Sequence, residues 1–221
     1  MHIPDNFVSG SINGATYACS VAACGVAAWR AKRTLGERQV PLLGMTAAFI
    51  FAAQMINFPV AGGTSGHFVG TTLAAILVGP LNAILVMAVV LVIQCLGFAD
   101  GGLTTLGTNL LNMGIIPALL CAVAFFGLGA VRGRSRRAFF VVTALTAWLA
   151  VVGGAAACAL ELAASGTATL MVALPAMLFY HSLIGVGEAV ITCAVLTVVF
   201  GARPDLVAAW RVGPTLEGSG A

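Results

Sequence analysis

The chain has 221 residues, of which 60% are hydrophobic and 8% charged, with a formal net charge of +3. A soluble domain carries about 25% charged residues. This composition, with a mean hydropathy of +1.06, excludes a soluble enzyme or binding module and specifies an all-α polytopic membrane protein. A span takes about 20 apolar residues, so almost nothing is left for a soluble domain, and residues 1–221 read as one integral-membrane unit. The basic residues lie in loops and the tail. They report topology, with lipid and not nucleic acid as the surrounding partner.

Residues 1–7, Met1-His2-Ile3-Pro4-Asp5-Asn6-Phe7, do not read as an insertion signal. No Lys or Arg precedes Arg30, and a charged n-region followed by a small-residue cleavage site is missing. A histidine at position 2 has its own chemistry. The α-amine, the main-chain nitrogen of His2 and its imidazole can close two fused chelate rings and set three nitrogens in a plane. A divalent ion that favours square-planar nitrogen then needs one more donor from elsewhere. The bland alternative is a histidine placed there by chance.

The first apolar run, residues 11–29, is rich in Ala, Gly and Ser and suits close helix contact. It stops at Arg30, Lys32, Arg33 and Arg38, which mark a cytoplasmic loop by the positive-inside rule and put the N-terminus outside. Residues 42–58 return outward. Ala48 and Ala52 share one helix face and permit close approach of another backbone, inside the bundle or in a partner. The glycine-dense stretch 59–70 follows, with Thr64, Ser65 and His67. Non-helical backbone at membrane depth is tolerated where it is buried or lines a cavity, and His67 falls on the same side as His2.

Residues 71–78 run inward to a turn at Gly79-Pro80, and 81–97 return to an outer loop at 98–103. The next run carries Asn109 and Asn112 on one face, as hydrogen-bonding support for an outer site or as interhelix ties. Pro117 is expected to kink it. It ends at Arg132, Arg134, Arg136 and Arg137. Residues 138–164 go outward, with Glu161 near the end, and 165–169 turn. Residues 174–200 return with His181 and Glu188 seven apart on nearly one face. Ionisable groups within a span mark a functional site by default; the alternative is a structural His–Glu pair. The tail, 201–221, is expected to be cytoplasmic and mobile. The total is seven spans, N-terminus outside and C-terminus inside, with all ten Lys and Arg residues on the inner side. The six cysteines sit in apolar runs without a CxxC pair and read as small buried hydrophobes.

The Met1-His2-Ile3-Pro4-Asp5 start, the Phe58-Pro59-Val60 lead into Gly63-Thr64-Ser65-Gly66-His67, and Asn109-Leu110-Leu111-Asn112-Met113-Gly114 together resemble the CbiM/NikM family. These are substrate-capturing S components of energy-coupling factor transporters for cobalt and nickel, tied to cobalamin biosynthesis in the cobalt case. The resemblance covers the whole chain and implies a six-helix core preceded by one extra N-terminal helix in a bacterial cytoplasmic membrane. It implies a metal site formed by Met1, His2 and His67, with Co2+ (or Ni2+) as cargo and no organic cofactor. It also implies a membrane coupling protein (CbiQ-like), an ATPase (CbiO-like) and a small accessory protein (CbiN-like), with Ala48 and Ala52 as the coupling contact. A common version of the loop has Cys or Ser where Gly66 stands. No GxxxxGK[ST] phosphate loop occurs in the chain, so ATP hydrolysis is expected in a partner.

Thr64, Ser65, Asn109, Asn112, His181 and Glu188 are the supporting candidates around the metal. The free α-amine titrates at about 7.7–8.0, so metal affinity is expected to rise with pH through that range. A rival from another class is an intramembrane metal-dependent enzyme using His67, His181 and Glu188 as a two-His-one-carboxylate site.

Overall fold

The computed structural model describes residues 1–37, 39–60, 64–127 and 135–211. The helices are α1 (Gly10–Thr34), α2 (Val40–Gln54), α3 (Thr71–Val78), α4 (Pro80–Phe98), α5 (Leu106–Leu110), α6 (Ile116–Cys121), α7 (Arg136–Ala164), α8 (Leu170–Ala202) and the short α9 (Ala208–Arg211). Two π-helical stretches, Leu111–Ile115 and Ala122–Gly127, continue α5 and α6. Between α2 and α3 lies a minimal antiparallel ribbon of β1 (Phe58–Val60) and β2 (Thr64–Gly66), pairing Phe58 with Gly66 and Val60 with Thr64. That ribbon stands where the sequence suggests only a loop.

Among the described residues, four helical stretches are long and apolar enough to cross a membrane: Pro80–Phe98, Leu106–Phe125, Arg136–Ala164 and Leu170–Ala202. Helix α1 has the length, 25 residues, but its Ser, Thr, Asn and Gly content lowers its hydropathy. Those small residues serve contact instead. Thr16 meets the Thr108 hydroxyl at 2.7 Å and Ser20 donates to the Gly107 carbonyl at 2.7 Å. A Cβ on Gly107 would lie 2.7 Å from the Tyr17 Cα, so only glycine lets α1 and α5 approach this closely.

Helix α3 is the central element: Thr71 through Leu77 are all buried. Eight residues rise about 12 Å, well short of a hydrocarbon core of about 30 Å. Residues 67–70 lead into α3 without regular structure. Pro117 lacks an N–H, which leaves the Met113 carbonyl without its helical donor. The Thr71 hydroxyl donates to it, so α3 caps the break in its neighbour. Helices α7 and α8 form the most extensive pair, joined at one point by Trp148 Nε1 donating to the Ser182 carbonyl at 3.0 Å.

The ends of the bundle differ. At one, the N-terminal segment meets the 165–169 turn, where Ser9 N donates to Ser165 Oγ at 2.9 Å. The described basic residues fall at the other end, on the C-termini of α1 and α8, the N-terminus of α7 and in α9. The tail differs from expectation over its first half. Val207 and Ala209 are buried, and Trp210 stacks edge-on to Phe139 and Phe200. Residues 212–221 lie outside the described residues.

Candidate metal centre

Residues 1–3 run into the bundle interior: Met1, His2 and Ile3 are 1%, 4% and 0% exposed. The peptide of Ile3 is read by side chains as a neighbouring strand would read it. Its N–H donates to Asn109 Oδ1 at 2.8 Å, and its carbonyl accepts from Asn109 Nδ2 at 3.1 Å, Thr105 Oγ1 at 2.5 Å and Gly102 N at 2.9 Å. Outside, Asp5 Oδ1 accepts from the Thr104 hydroxyl and main-chain N–H at 2.6 and 2.7 Å. Those bonds, the hydroxyl's first, hold its carboxyl below the usual range.

His67 approaches on the segment that leads into α3. The Met1 nitrogen lies 3.1 Å from His67 Nε2, and the His2 and His67 rings stack at 4.6 Å between centroids. Two nitrogens bound cis to one ion at about 2.0–2.1 Å stand about 2.9 Å apart, so the Met1–His67 spacing already suits a shared metal. Hydrogen bonding sets which ring nitrogens keep a lone pair. His67 Nδ1 meets the Phe68 carbonyl at 2.7 Å. A carbonyl only accepts, so Nδ1 carries the proton and Nε2 keeps its lone pair.

For His2 the same logic runs through a relay. The Val69 carbonyl forces the Gln54 amide NH2 toward it at 2.6 Å. Gln54 Oε1 then accepts from Gln94 Nε2 at 2.9 Å, and Gln94 Oε1 faces His2 Nε2 at 3.1 Å. His2 Nε2 therefore carries the proton and Nδ1 the lone pair, as a chelate closed with the main-chain nitrogen of His2 needs. Gln54 and Gln94 are both 0% exposed.

Burial moves the titrations. The Met1 amine is lowered from 8.0 to about 5, chiefly by burial, against smaller upward effects of Cys158 and Asp100. His2 is lowered from 6.5 to about 3, by burial and then by the charge of the amine. The Met1 amine and His2 are therefore neutral donors at pH 7. The pH window expected from the free amine thus moves down, to near pH 5, because the amine is out of water.

The segment 67–70 is held from α8. Both oxygens of Glu188 accept main-chain N–H groups, from Val69 and Gly70, at 2.7 Å each. Gly70 has φ +82°, and a Cβ there would stand 2.8 Å from Ile50 Cγ1, so the turn requires glycine. This corrects the reading of His181 and Glu188 as a pair. Glu188 clamps the His67 segment, and His181 Nδ1 donates to Met177 O at 2.9 Å, one turn back on its own helix.

In the rival enzyme reading Glu188 is the carboxylate, and here both its oxygens accept main-chain N–H groups. Among the described residues, no three or more His, Cys, Asp or Glu side chains gather to hold a metal. Asn109 reaches the Met1–His2 segment, whereas Asn112 turns away and donates to Glu161 Oε2 at 2.5 Å, an interhelix tie. Thr64 and Ser65 lie in β2, and their side chains lie outside the described residues, as do Gly62 and Gly63 altogether. Ala48 and Ala52 are exposed on α2, facing away from the bundle.

Sequence reasoning missed Gln54, Gln94 and Asp100. The two glutamines are isolated amides within apolar runs, and a buried amide in a span is itself a signal. Asp100 sits in the loop after α4 with Oδ1 3.4 Å from His2 Nδ1. Its carboxyl is pushed up by burial, against opposing effects of the amine and Asn57.

Residues 2–206 match the family described as the CbiM cobalt uptake substrate-specific transmembrane region. The chain is 42% identical over 211 residues to a putative fused nickel transport protein NikMN of Archaeoglobus fulgidus, covering 94% of this chain and 68% of that one. It is 36% identical over 170 residues to the cobalt transport protein CbiM of Sorangium cellulosum, covering 76% of each. A crystal structure of a truncated transition metal transporter superimposes with a TM-score of 0.83 at 30% identity, over 91% of this chain and 99% of that one. The chain thus belongs to the CbiM family of cobalt uptake substrate-specific transmembrane proteins, a multi-pass membrane protein of cobalt and nickel transport.

Proposed function

We propose that this protein is the metal-capturing subunit of an energy-coupled importer for divalent cobalt, with nickel as the alternative cargo. The ligands are the Met1 amine, the main-chain nitrogen and Nδ1 of His2, and Nε2 of His67. One observation carries this reading: the buried Met1 nitrogen lies 3.1 Å from the Nε2 of His67, with both rings locked in the tautomers a four-nitrogen site uses. Raw affinity among such sites favours copper, so selection falls to the rigidity of the two segments. The family description favours cobalt and the relative named as a nickel protein favours nickel.

The subunit has seven spans, counting α1, α2 and the short α3 with the four long ones. The basic end is cytoplasmic and the metal site faces outward. Ala48 and Ala52, exposed on α2, form the contact with a CbiQ-like coupling protein. That protein is driven by a CbiO-like ATPase and joined by a CbiN-like accessory protein. Reorientation against this partner carries the metal inward. Ala48→Leu with Ala52→Leu is expected to abolish uptake in cells while leaving metal binding intact.

The deciding experiment is elemental analysis of the purified subunit, with a free Met1 amine and any tag at the C-terminus, after loading with equal cobalt, nickel, copper and zinc. One cobalt or nickel per chain, lost in His2→Ala and His67→Ala, is expected and identifies the cargo. Zinc retained in His2→Ala overturns the reading.

A further inference from the structure

The geometry points to Asp100 as the first protein ligand of the arriving cation, a carboxylate that takes a hydrated divalent ion at the mouth of the site and passes it to His2 Nδ1. This rests on the binding reading above and adds a route to it.

Two cavities flank the donor nitrogens. One, about 480 Å³, opens on the His67 side and is walled by Ala53, Phe68, Leu183, Ile184 and Ile191. Such a wall disfavours the passage of a charged group, and Glu188, the one carboxylate on it among the described residues, has both oxygens engaged. The other, about 490 Å³, opens on the His2 side beside Pro4, Asp5, Cys95, Asp100 and Gly101. Among the described residues, no Lys or Arg lines it.

Inside that second cavity two acceptors face each other. His2 Nδ1 carries a lone pair, since Nε2 holds the ring proton, and it is buried without a hydrogen-bond partner. Asp100 Oδ1 lies 3.4 Å from it. Two lone pairs at this distance repel, and a cation passing between them relieves that repulsion. The carboxylate is also built into place. Asp100 N donates to the Gln94 carbonyl at 3.1 Å, while the Gln94 side chain takes the His2 Nε2–H. One residue thus fixes both the receiving oxygen and the nitrogen behind it. Asp100 keeps 18% of its side chain exposed against 3% for His2, so it reaches solvent and the site together. Asp5 is unlike it, with Oδ1 committed to Thr104.

The test is stopped-flow association of Co2+ and Ni2+ with the full-length subunit in detergent, at low salt and at about 0.5 M salt, where long-range steering is screened. Asp100→Asn is expected to slow association about tenfold at both salts, with the equilibrium constant within about threefold. A ligand used only in transit speeds arrival and departure alike. Asp100→Glu, which restores the carboxylate, is expected to recover the rate to within about threefold. Unchanged association in Asp100→Asn overturns the inference, as does a defect that vanishes at high salt, which is steering alone. A faster dissociation with normal association overturns it too, since that marks a permanent ligand. Failure of the wild type to bind either metal is a different result and removes the binding reading itself.

Discussion

Residues 1–5 and residues 67–70 both reach the bundle interior without regular structure, and each has its main chain gripped by a residue remote in sequence. The grips differ in kind. The first segment is held by neutral groups, with Asn109, Thr105 and Gly102 sharing four bonds to the Ile3 peptide. Each such bond nets about 0.5–1.5 kcal/mol. The second is held by one carboxylate, Glu188, through two bonds to adjacent N–H groups. Bonds to a charged group net about 1.5–3 kcal/mol, and all of that is lost together if α8 shifts. The first is a fixed anchor built from many parts. The second is a single clamp carried by a membrane helix.

The largest expected effect falls on the fixed anchor. Adding one residue before Met1 turns its amine into an amide and displaces the new amine from the buried position beside His67, so affinity should fall about a thousandfold, roughly 4 kcal/mol. Calorimetric titration of Co2+ reads this directly. Wild-type affinity in the extended protein would sink the chelate and with it the comparison.

The anchor also makes the metal-free fold sensitive to pH. The Met1 amine binds its proton below about 5 when folded and below 8.0 when unfolded. Between those values the unfolded chain holds the extra proton, so stability rises with pH and levels off above 8.0. Three pH units at 1.36 kcal/mol each give a span on the order of 4 kcal/mol. His2 adds the same sign between about 3 and 6.5. The amine's own share, read as the difference between the melting profiles of the metal-free protein with a free and with an N-acetylated Met1 in detergent, should therefore rise from pH 5 to 8, and no difference in slope would mean that the amine is not buried.

The clamp should break more gently. Glu188→Gln keeps one acceptor oxygen and turns the other into a donor facing an N–H. Outer-shell changes of this kind cost about 10–100-fold in metal affinity. Hydrogen exchange then separates the two segments: Val69 and Gly70 amides should lose protection while the Ile3 amide keeps it. Loss at all three would show one cooperative unit instead of two arms.

How much of this the sequence discloses follows from range. The helices were legible because apolar runs and charged stops are local, and His2 and His67 because few residue types can serve as donors. Glu188 was visible as an ionisable group within a span, but its partner was not. A main-chain N–H leaves no mark in the sequence, and the contact spans 119 residues to Val69. Asn109 and Asn112 looked equivalent at three-residue spacing. Only the packing of residues 1–3 on one side and Glu161 on the other tells them apart. The packed tail was missed because Trp210 finds its partners, Phe139 and Phe200, only after the bundle closes.

The smallest effect tests whether the two arms speak to each other. His2 is tied to Gln94, Gln94 to Gln54 and Gln54 to Val69, so the anchor and the clamp share an unbroken chain of buried amides. Distant sites without shared partners add to within about 0.3–0.5 kcal/mol, whereas members of one network couple by about 0.5–3 kcal/mol. A double-mutant cycle of Asn109→Ala and Glu188→Gln on metal affinity should therefore give a coupling at the low end of that range. Repeated in Gln94→Met, which cannot accept the His2 Nε2–H as an amide does, the coupling should vanish. If it persists there, the arms communicate through the metal alone, since both cycles retain the ion and only one retains the relay.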